Sequence, residues 1–206
     1  MGDATPDEFG AHLRSLSDDE RALASRYVHR RGALAFVKTR SVLRNLLAAR
    51  LGVSPDDVRF RYDGLGRPHL ADEAPLWFSV SHSAPYSAIA VAEAHDVGID
   101  IENWEPIDAA ELGAGVFAPE ELDRIRAAPN PLKSLYDHWT RKEAVLKLRG
   151  IGLGGSPGSL VMRPDAPQWF GNACVQNVSV PHGVSAALAV ECADVRDVPP
   201  FTLRTA

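Results

Sequence analysis

The chain predicts an α+β fold of two similar halves, because a helical pattern precedes strand patterns twice along its 206 residues. In the first half, apolar residues recur at helical spacing from Ala33 to Leu51, and Gly52 supplies a helix stop. In the second half, the span from Leu135 to Leu148 shows the corresponding pattern, and Gly150 ends it. Each half is therefore expected to pair a long helix with a small sheet.

Shorter helices are predicted ahead of both long ones. Ser17 is typical of an N-cap, because Asp19 and Glu20 follow it and acidic side chains are favoured by the free amides and dipole of a first turn. A second helix is predicted to start after Ala118, because proline, here Pro119, is tolerated in the first turn of a helix. Helices are expected to begin near both positions.

A connection that contains Glu105 and Pro106 separates the two patterns. We therefore expect an N-terminal half over residues 1–103 and a C-terminal half over residues 104–206, which together form one compact functional unit. The two halves share no sequence identity strong enough to demonstrate a duplication.

Alternating or apolar runs predict strands in both halves, at residues 58–62, 77–81, 87–92, 97–102, 159–162, 169–180 and 184–191. Turn residues at 63–68 and 82–86 separate some of these strands. The glycine-rich run at 150–158 is also predicted to be a turn. It follows a helix and precedes a strand, which is the reverse of the order in a phosphate-binding loop. The C-terminal end is predicted to be a loose tail.

Charge and composition argue against several function classes. The formal net charge is -5, and no stretch concentrates Lys and Arg among aromatic residues, which argues against a nucleic-acid binder. The chain shows neither a signal-peptide pattern nor a run of about 18 apolar residues, so we expect a cytoplasmic protein without a membrane partner. Cys174 and Cys192 are expected to be reduced core thiols. No compact His or Cys pattern predicts a transition metal, so any metal should be a hard cation bound by oxygen.

Two carboxylates interrupt the otherwise apolar strand at 97–102. Asp100 and Glu102 lie two residues apart, so their side chains point to the same face of the strand. Like charges in this position repel. The pair is compatible with a solvated face of an edge strand, with a cation between the carboxylates, or with one carboxylate kept protonated.

Two further motifs carry polar groups that could act in chemistry. Glu143 and Lys147 lie four residues apart on one helix, either as a surface ion pair of a few tenths of a kcal/mol or as a base or metal ligand beside a phosphate-facing cation. Ser81, His82 and Ser83 are consecutive, which argues against a serine triad formed by these neighbours alone. They are compatible with phosphate binding or with a structural turn histidine.

Six motifs in a fixed order carry a resemblance to a known family: GRP (66–68), FSVSHS (78–83), GIDIE (98–102), FAPEEL (117–122), WTRKEAVLK (139–147) and GIGL (150–153). Each motif is weak alone, but their ordered combination resembles the 4′-phosphopantetheinyl transferases of the surfactin-synthetase-activating type (Sfp-type). The resemblance implies a monomer with two α/β halves related by a pseudo-twofold and an active site between them. It also implies transfer of the phosphopantetheine arm of coenzyme A to a serine of an apo acyl, peptidyl or aryl carrier protein, with release of adenosine 3′,5′-bisphosphate.

The same resemblance implies roles for the acidic residues and the lysine. Asp100 and Glu102 from one half and Glu143 from the other would hold Mg²⁺ on the coenzyme A pyrophosphate, a donor set that suits this cation. Glu143, or a water on the metal, would accept the proton of the carrier serine, and Lys147 would stabilise or protonate the leaving phosphate. Whether Mn²⁺ replaces Mg²⁺ stays open.

The nucleotide would contact residues from several motifs. His82, with Ser81 beside it, would bind a phosphate, and Arg67 and Pro68 would lie near the adenine. The segment HRRGALAFVKTR departs from the family pattern, because small residues replace part of its charged set. Candidate ligands of the 3′-phosphate in this segment are His29, Arg30, Arg31, Lys38 and Arg40.

A carrier domain is usually acidic, so its docking requires a local basic or apolar surface. The segment from Phe117 to Trp139 is expected to supply it through Arg124, Arg126, Lys133 and exposed apolar residues. Two other functions use the same residues: a non-catalytic module that binds coenzyme A or a carrier, and a Mg²⁺-dependent nucleotide phosphohydrolase. The particular carrier and pathway are not specified by the sequence.

Overall fold

The computed structural model describes residues 6–107 and 115–192, which form a mixed α+β fold. Its α-helices are α1 (Pro6–Arg14), α2 (Asp18–Ala24), α3 (Arg30–Leu51), α4 (Pro119–Ala127) and α5 (Pro131–Arg149). Its strands are β1 (Phe60–Tyr62), β2 (Pro68–Leu70), β3 (Trp77–Ser83), β4 (Tyr86–Ala92), β5 (Val97–Asn103), β6 (Gln168–Phe170), β7 (Ala173–Asn177) and β8 (Val184–Glu191). Short 3₁₀ helices cover Pro55–Asp57, Gly152–Gly155 and Pro157–Ser159. The predicted fold class is confirmed.

The strands form one antiparallel sheet in the order β5-β8-β7-β6 and two hairpins, β1-β2 and β3-β4. Serine side chains join β3 to β5: Ser79 Oγ accepts a hydrogen bond from the Ile99 amide, and Ser83 Oγ accepts one from the Asn103 amide, both at 3.1 Å. Strand β5 of the predicted N-terminal half pairs with β8 of the predicted C-terminal half. The sheet therefore crosses the expected boundary at residue 103.

Helix α5 packs on the four-stranded sheet at an unusually short distance. A Cβ atom placed on Gly98 of β5 would lie 2.0 Å from the Ala144 carbonyl oxygen and 2.6 Å from the Leu148 amide nitrogen. Only glycine permits this contact, because any side chain would collide with helix backbone. The apolar face of α5 meets the alanines of β8 in a core that contains Ala144, Val145, Leu148, Ala187 and Ala189.

Helix α3 packs on the β3-β4 hairpin. Leu43 and Leu47 are fully buried against Phe78 and the partly buried Ile89. A hydrogen bond of 2.6 Å between the hydroxyls of Thr39 and Ser87 joins the same two elements. The two long helices thus flank one region, in which β3 and β5 are neighbours.

Basic residues of α5 fix its position from within the protein. Lys142 and Glu121 form an ion pair of 2.8 Å with both side chains fully buried, and Lys142 also donates to the Pro157 carbonyl at 3.0 Å. Arg141 Nε donates to the Asn177 side chain at 2.6 Å. Removing one partner of such a buried pair typically costs about 3–5 kcal/mol, so these contacts hold α5 against α4 and β7.

Several predicted elements are confirmed with shifted ends. Helix α2 begins after Ser17, whose hydroxyl accepts from the Glu20 amide in a capping box. Helix α3 begins at Arg30 rather than at Ala33, and α5 begins at Pro131 rather than at Leu135. Both long helices end at the expected glycines, which adopt left-handed backbone conformations.

Other predictions were wrong. Strand β3 continues through His82 and Ser83, so the turn predicted at 82–86 is shorter. Residues 159–162 are not a strand, and the run at 169–180 divides into β6 and β7 around Gly171. Helix α1 and strand β2 were not predicted, and the loose tail expected for the last dozen residues lies outside the described residues. No helix within the described ranges is both long and apolar enough to cross a membrane.

We predict that Gly98→Ala destabilises the protein by about 1–3 kcal/mol, the usual cost of overpacking a core, because the added methyl group would force α5 away from β5. Thermal unfolding measures the change. Gly64→Ala is the matched control, since a Cβ atom at Gly64 would have nothing within 4 Å. Equal unfolding temperatures for the two variants would contradict the tight packing.

Candidate active site

A cavity of about 520 Å³ opens between the two long helices. Its walls come from α2 and α3, the turn between β1 and β2, strand β3, helix α5 and the residues that follow α5. The residues that matter below are Arg40 on α3, Arg67 and Pro68 at the turn, His82 on β3, and Glu143 and Lys147 on α5. Four sequence-predicted coenzyme A ligands, the predicted base and the lysine predicted to act on the leaving phosphate therefore border one space.

Three polar side chains from three elements meet beside this cavity. Lys147 Nζ on α5 lies 2.6 Å from Asp100 Oδ1 on β5. Ser81 Oγ on β3 donates to the same Asp100 oxygen at 2.8 Å and accepts from Lys147 Nζ at 2.9 Å. The Asp100 side chain is only 2% exposed, so the ammonium compensates a nearly buried negative charge.

The structure changes the interpretation of two motifs. Lys147 forms its ion pair with Asp100 on β5 rather than with Glu143 on its own helix. The hydroxyl of Ser81, expected to bind a phosphate, is engaged by Asp100 and Lys147. This network orients the lysine at the cavity wall.

Glu143 is a half-buried carboxylic acid whose pKa is raised to about 7. Burial is the main cause, and the negative charge of Asp100 adds to it, whereas Lys147 acts in the opposite direction. The pKa of Glu102 is also raised, first by burial and then by Asp100. The three carboxylates predicted to act together therefore influence one another electrostatically.

Two oxygens of this acidic group are buried and have no hydrogen-bond partner within the described part of the chain: Asp100 Oδ2 and Glu143 Oε1. Buried acceptors normally have a partner, so these two atoms are suited to an additional cation or donor. Within residues 6–107 and 115–192, however, no group of three or more His, Cys, Asp or Glu side chains is arranged to hold a metal ion. The protein alone thus offers carboxylate oxygens that fit Mg²⁺ but no complete metal cage.

His82 borders the cavity from β3. Its pKa is lowered, mainly by burial and further by the positive charges of Lys147 and Arg40. A histidine that experiences two cations lies in an electropositive environment. This part of the cavity is therefore suited to an anion.

Arg40 supplies a cation at the α3 side of the cavity. Its guanidinium lies over the rings of Phe36, Phe60 and Tyr62, at 5.4, 5.7 and 5.8 Å from their centroids. Arg40 Nη1 is buried, and no described residue forms a hydrogen bond with it. Arg30 is exposed in the first turn of α3, and Arg31 follows it in the helix; of this predicted set, the cavity includes Arg40.

Arg67 borders the cavity, but its guanidinium is already engaged. It donates to the Lys147 carbonyl at 2.5 Å and forms an ion pair of 2.8 Å with Asp96. Pro68 follows it and opens β2. Sequence reasoning did not single out Asp96, since a lone acidic residue ahead of a strand carries no recognisable signal.

The surface predicted to dock the carrier is mixed in charge, because Glu120 and Asp123 are exposed in it and Asp123 lies 3.7 Å from Arg126. Arg124, Arg126 and Lys133 are exposed, and Lys133 forms an ion pair with Asp137. Phe117 is buried and Trp139 is partly buried against the α4-α5 core. No large apolar side chain of residues 117–139 is exposed, so the exposed apolar residues that were expected in this segment are not found there.

Known families match most of the chain in two consecutive pieces. Residues 3–94 match the family described as "4′-phosphopantetheinyl transferase, N-terminal". Residues 96–170, which include Asp100, Glu102, Glu143 and Lys147, match the "4′-phosphopantetheinyl transferase superfamily". The matched ranges meet just before β5.

Curated relatives include 4′-phosphopantetheinyl transferase HetI of Nostoc sp., 37% identical over 145 residues that cover 68% of this chain and 61% of the relative. A putative 4′-phosphopantetheinyl transferase of Synechocystis sp. is 32% identical over 71% of this chain and 61% of its own length. The L-aminoadipate-semialdehyde dehydrogenase-phosphopantetheinyl transferase of Rattus norvegicus is 28% identical over 73% and 53%, respectively. The chain thus spans less than two thirds of the length of these relatives. The two family matches, together with 37% identity to HetI over 68% of the chain, show that the chain belongs to the 4′-phosphopantetheinyl transferase superfamily.

Proposed function

We propose that the protein transfers the 4′-phosphopantetheine arm of coenzyme A to a serine hydroxyl of an apo carrier protein. The observation that carries the proposal is the Lys147-Asp100-Ser81 network beside the raised-pKa carboxyl of Glu143, at the wall of a cavity with cationic side chains. These groups supply a fixed cation, a proton acceptor and anion-binding positions within one site. Membership of the superfamily supports the same reaction.

Coenzyme A would occupy the cavity between α3 and α5. Arg40, whose Nη1 lacks a partner, would bind a phosphate of the nucleotide end, and His82 would bind a second anionic group. Arg30 and Arg31 would add positive charge at the start of α3, where the helix dipole also favours anions. Pro68 would contact the adenine side.

In the transfer, the serine oxygen forms a bond to the phosphorus nearer the pantetheine, and the bond from that phosphorus to the bridging pyrophosphate oxygen breaks. Glu143 accepts the serine proton; a pKa of about 7 suits a base that works near neutral pH. Lys147 stabilises the negative charge released on adenosine 3′,5′-bisphosphate, and Asp100 keeps its ammonium in place at 2.6 Å.

A divalent cation fits the carboxylates of this site. Asp100 and Glu143 would hold Mg²⁺ through their unpartnered oxygens, with Glu102 as a third carboxylate close enough to affect the pKa of Glu143. When bound, the cation would neutralise charge on the phosphate oxygens of the substrate. Its charge would also relieve the repulsion that raises the pKa of Glu143.

The carrier would be an acyl, peptidyl or aryl carrier domain. Arg124, and Arg126 in its exposed ion pair of 3.7 Å with Asp123, would offer positive charge to such an acidic partner. We assign the protein to the surfactin-synthetase-activating type and expect it to act as a monomer, because one chain matches both an N-terminal and a superfamily region.

We predict that intact-mass spectrometry of apo carrier domains incubated with the protein, coenzyme A and Mg²⁺ will detect one added phosphopantetheine. Glu143→Gln should lower the transfer rate by about 10²–10⁴-fold, the usual contribution of a general base. Glu93→Gln is the control, since Glu93 is exposed and outside the cavity. Coenzyme A binding without modification of any carrier would favour a binding module, and phosphate release without an acceptor would favour a hydrolase.

We also predict that Glu143→Gln changes how stability depends on pH in the presence of a chelator. The folded pKa of Glu143 is about 7 against a reference value of 4.5, so its contribution to stability is complete below pH 4.5 and is lost as pH rises through 7. The variant lacks this loss of stability. The unfolding temperature of the variant minus that of the unmutated protein should therefore increase between pH 5 and pH 8. A constant difference would contradict the raised pKa.

The same unfolding assay tests the metal ligands without measuring activity. At pH 8, Mg²⁺ should raise the unfolding temperature of the unmutated protein more than that of Glu143→Gln, because a ligand that binds only the folded state stabilises it. Equal increases in both proteins would exclude Glu143 as a ligand.

A further inference from the structure

The turn between β1 and β2 is organised by a single carboxylate. Asp63 accepts hydrogen bonds from the amides of Leu65 and Arg67, both at 2.9 Å, and its second oxygen lies 3.1 Å from His69 Nε2. These contacts lower the pKa of Asp63, with the His69 contact as the largest cause. The turn therefore has a defined shape, and it directs the Arg67 side chain towards the end of α5.

The Arg67 guanidinium connects this turn to two other elements. One nitrogen, Nη1, donates to the Lys147 carbonyl at 2.5 Å; the other, Nη2, pairs with Asp96 at 2.8 Å and approaches the Val97 carbonyl at 3.3 Å. The Lys147 carbonyl also accepts from the Gly150 amide at 3.1 Å, and it lies at the negative end of α5, where a guanidinium is favoured. The Arg67 side chain is only 17% exposed.

Asp96 completes the connection from the sheet side. Its Oδ1 accepts from Arg67 and also from the Val97 amide at 2.7 Å, at the first residue of β5. Four residues later, the same strand presents Asp100 to the Lys147 ammonium. Arg67 thus holds the backbone of Lys147, while β5, which Asp96 immediately precedes, holds the Lys147 side chain through Asp100.

We infer that Arg67 and Asp96 form a clasp that positions Lys147 and the β1-β2 wall of the cavity, and that Arg67 acts through this clasp rather than as a phosphate ligand. The inference rests on the proposed transfer reaction. Its basis is that the charge of Arg67 is neutralised by Asp96 and that both of its terminal nitrogens already donate within the protein. Arg67 and Asp96 are therefore positioning residues.

The clasp and a direct phosphate ligand predict different results for Asp96→Asn. This variant leaves the arginine charge in place but weakens its anchor. If the clasp positions Lys147, Asp96→Asn and Arg67→Met should each lower kcat by about tenfold, and the double variant should be no slower than Arg67→Met. If Arg67 binds phosphate directly, Arg67→Met should raise the KM for coenzyme A, and Asp96→Asn should have no effect.

The experiment is a double-variant cycle on the full chain, with kcat and the KM for coenzyme A measured at a temperature where every variant is folded. Glu93→Gln is the matched control, because Glu93 belongs to an exposed, longer ion pair of 3.8 Å with Arg50. A lower unfolding temperature of Asp96→Asn with unchanged kcat and KM would make the contact purely structural and overturn the proposal. Additive effects of the two substitutions would also overturn it.

Failure of the reaction itself is recognisable separately, because the unmutated protein would then modify no carrier. In that case, the rise in unfolding temperature on adding coenzyme A remains as a second readout. The clasp predicts that Asp96→Asn and Arg67→Met reduce this rise equally, since both loosen the same cavity wall. A full rise in Asp96→Asn would refute the clasp whatever the activity.

Discussion

The close approach of α5 to β5 at Gly98 is the constraint on which the candidate site depends. Because Gly98 has no side chain, the backbone of α5 lies directly on the strand that carries Asp100. This contact brings Lys147 within 2.6 Å of Asp100 and leaves Glu143, one turn earlier, near the same carboxylate. The chemistry of the site thus follows from a packing feature that involves no polar side chain.

The site concentrates negative charge that the rest of the fold must tolerate. Burial, and after it the charge of Asp100, raises the pKa of both Glu102 and Glu143, and two carboxylate oxygens have no hydrogen-bond partner among the described residues. Buried contacts elsewhere, such as the pair Lys142-Glu121, hold α5 in place despite this local cost. Such a combination of a firmly held helix and unsatisfied groups at one end is expected where a protein binds a charged ligand.

Local signals predicted the parts of the fold that depend on neighbouring residues. The N-cap at Ser17 and the helix stops at Gly52 and Gly150 depend on backbone geometry within one turn, and all three are confirmed. Residues 159–162 were wrongly predicted as a strand, because their apolar side chains are buried by tertiary packing: the Met162 amide donates to Glu121 rather than to a strand. A local pattern cannot distinguish these two reasons for apolar residues.

The contacts among the candidate site residues could not be predicted from the sequence. The spacing of Glu143 and Lys147 indicated an ion pair within α5, whereas the preferred partner, Asp100, is 47 residues distant in the chain. The partners of Arg67 lie on two other elements and were equally inaccessible to local reasoning. The resemblance to a family supplied the candidate site residues, and the fold determines which of those residues are in contact.

The most direct test of the account is a crystal structure of the protein with coenzyme A and Mg²⁺. The account predicts the nucleotide in the cavity between α3 and α5, the cation on Asp100 and Glu143, and the Arg67-Asp96 pair intact. A second cavity of about 530 Å³, beneath the residues 71–76 that join β2 to β3, offers a clear alternative. Coenzyme A bound there, or a cation bound away from both carboxylates, would contradict the central claim.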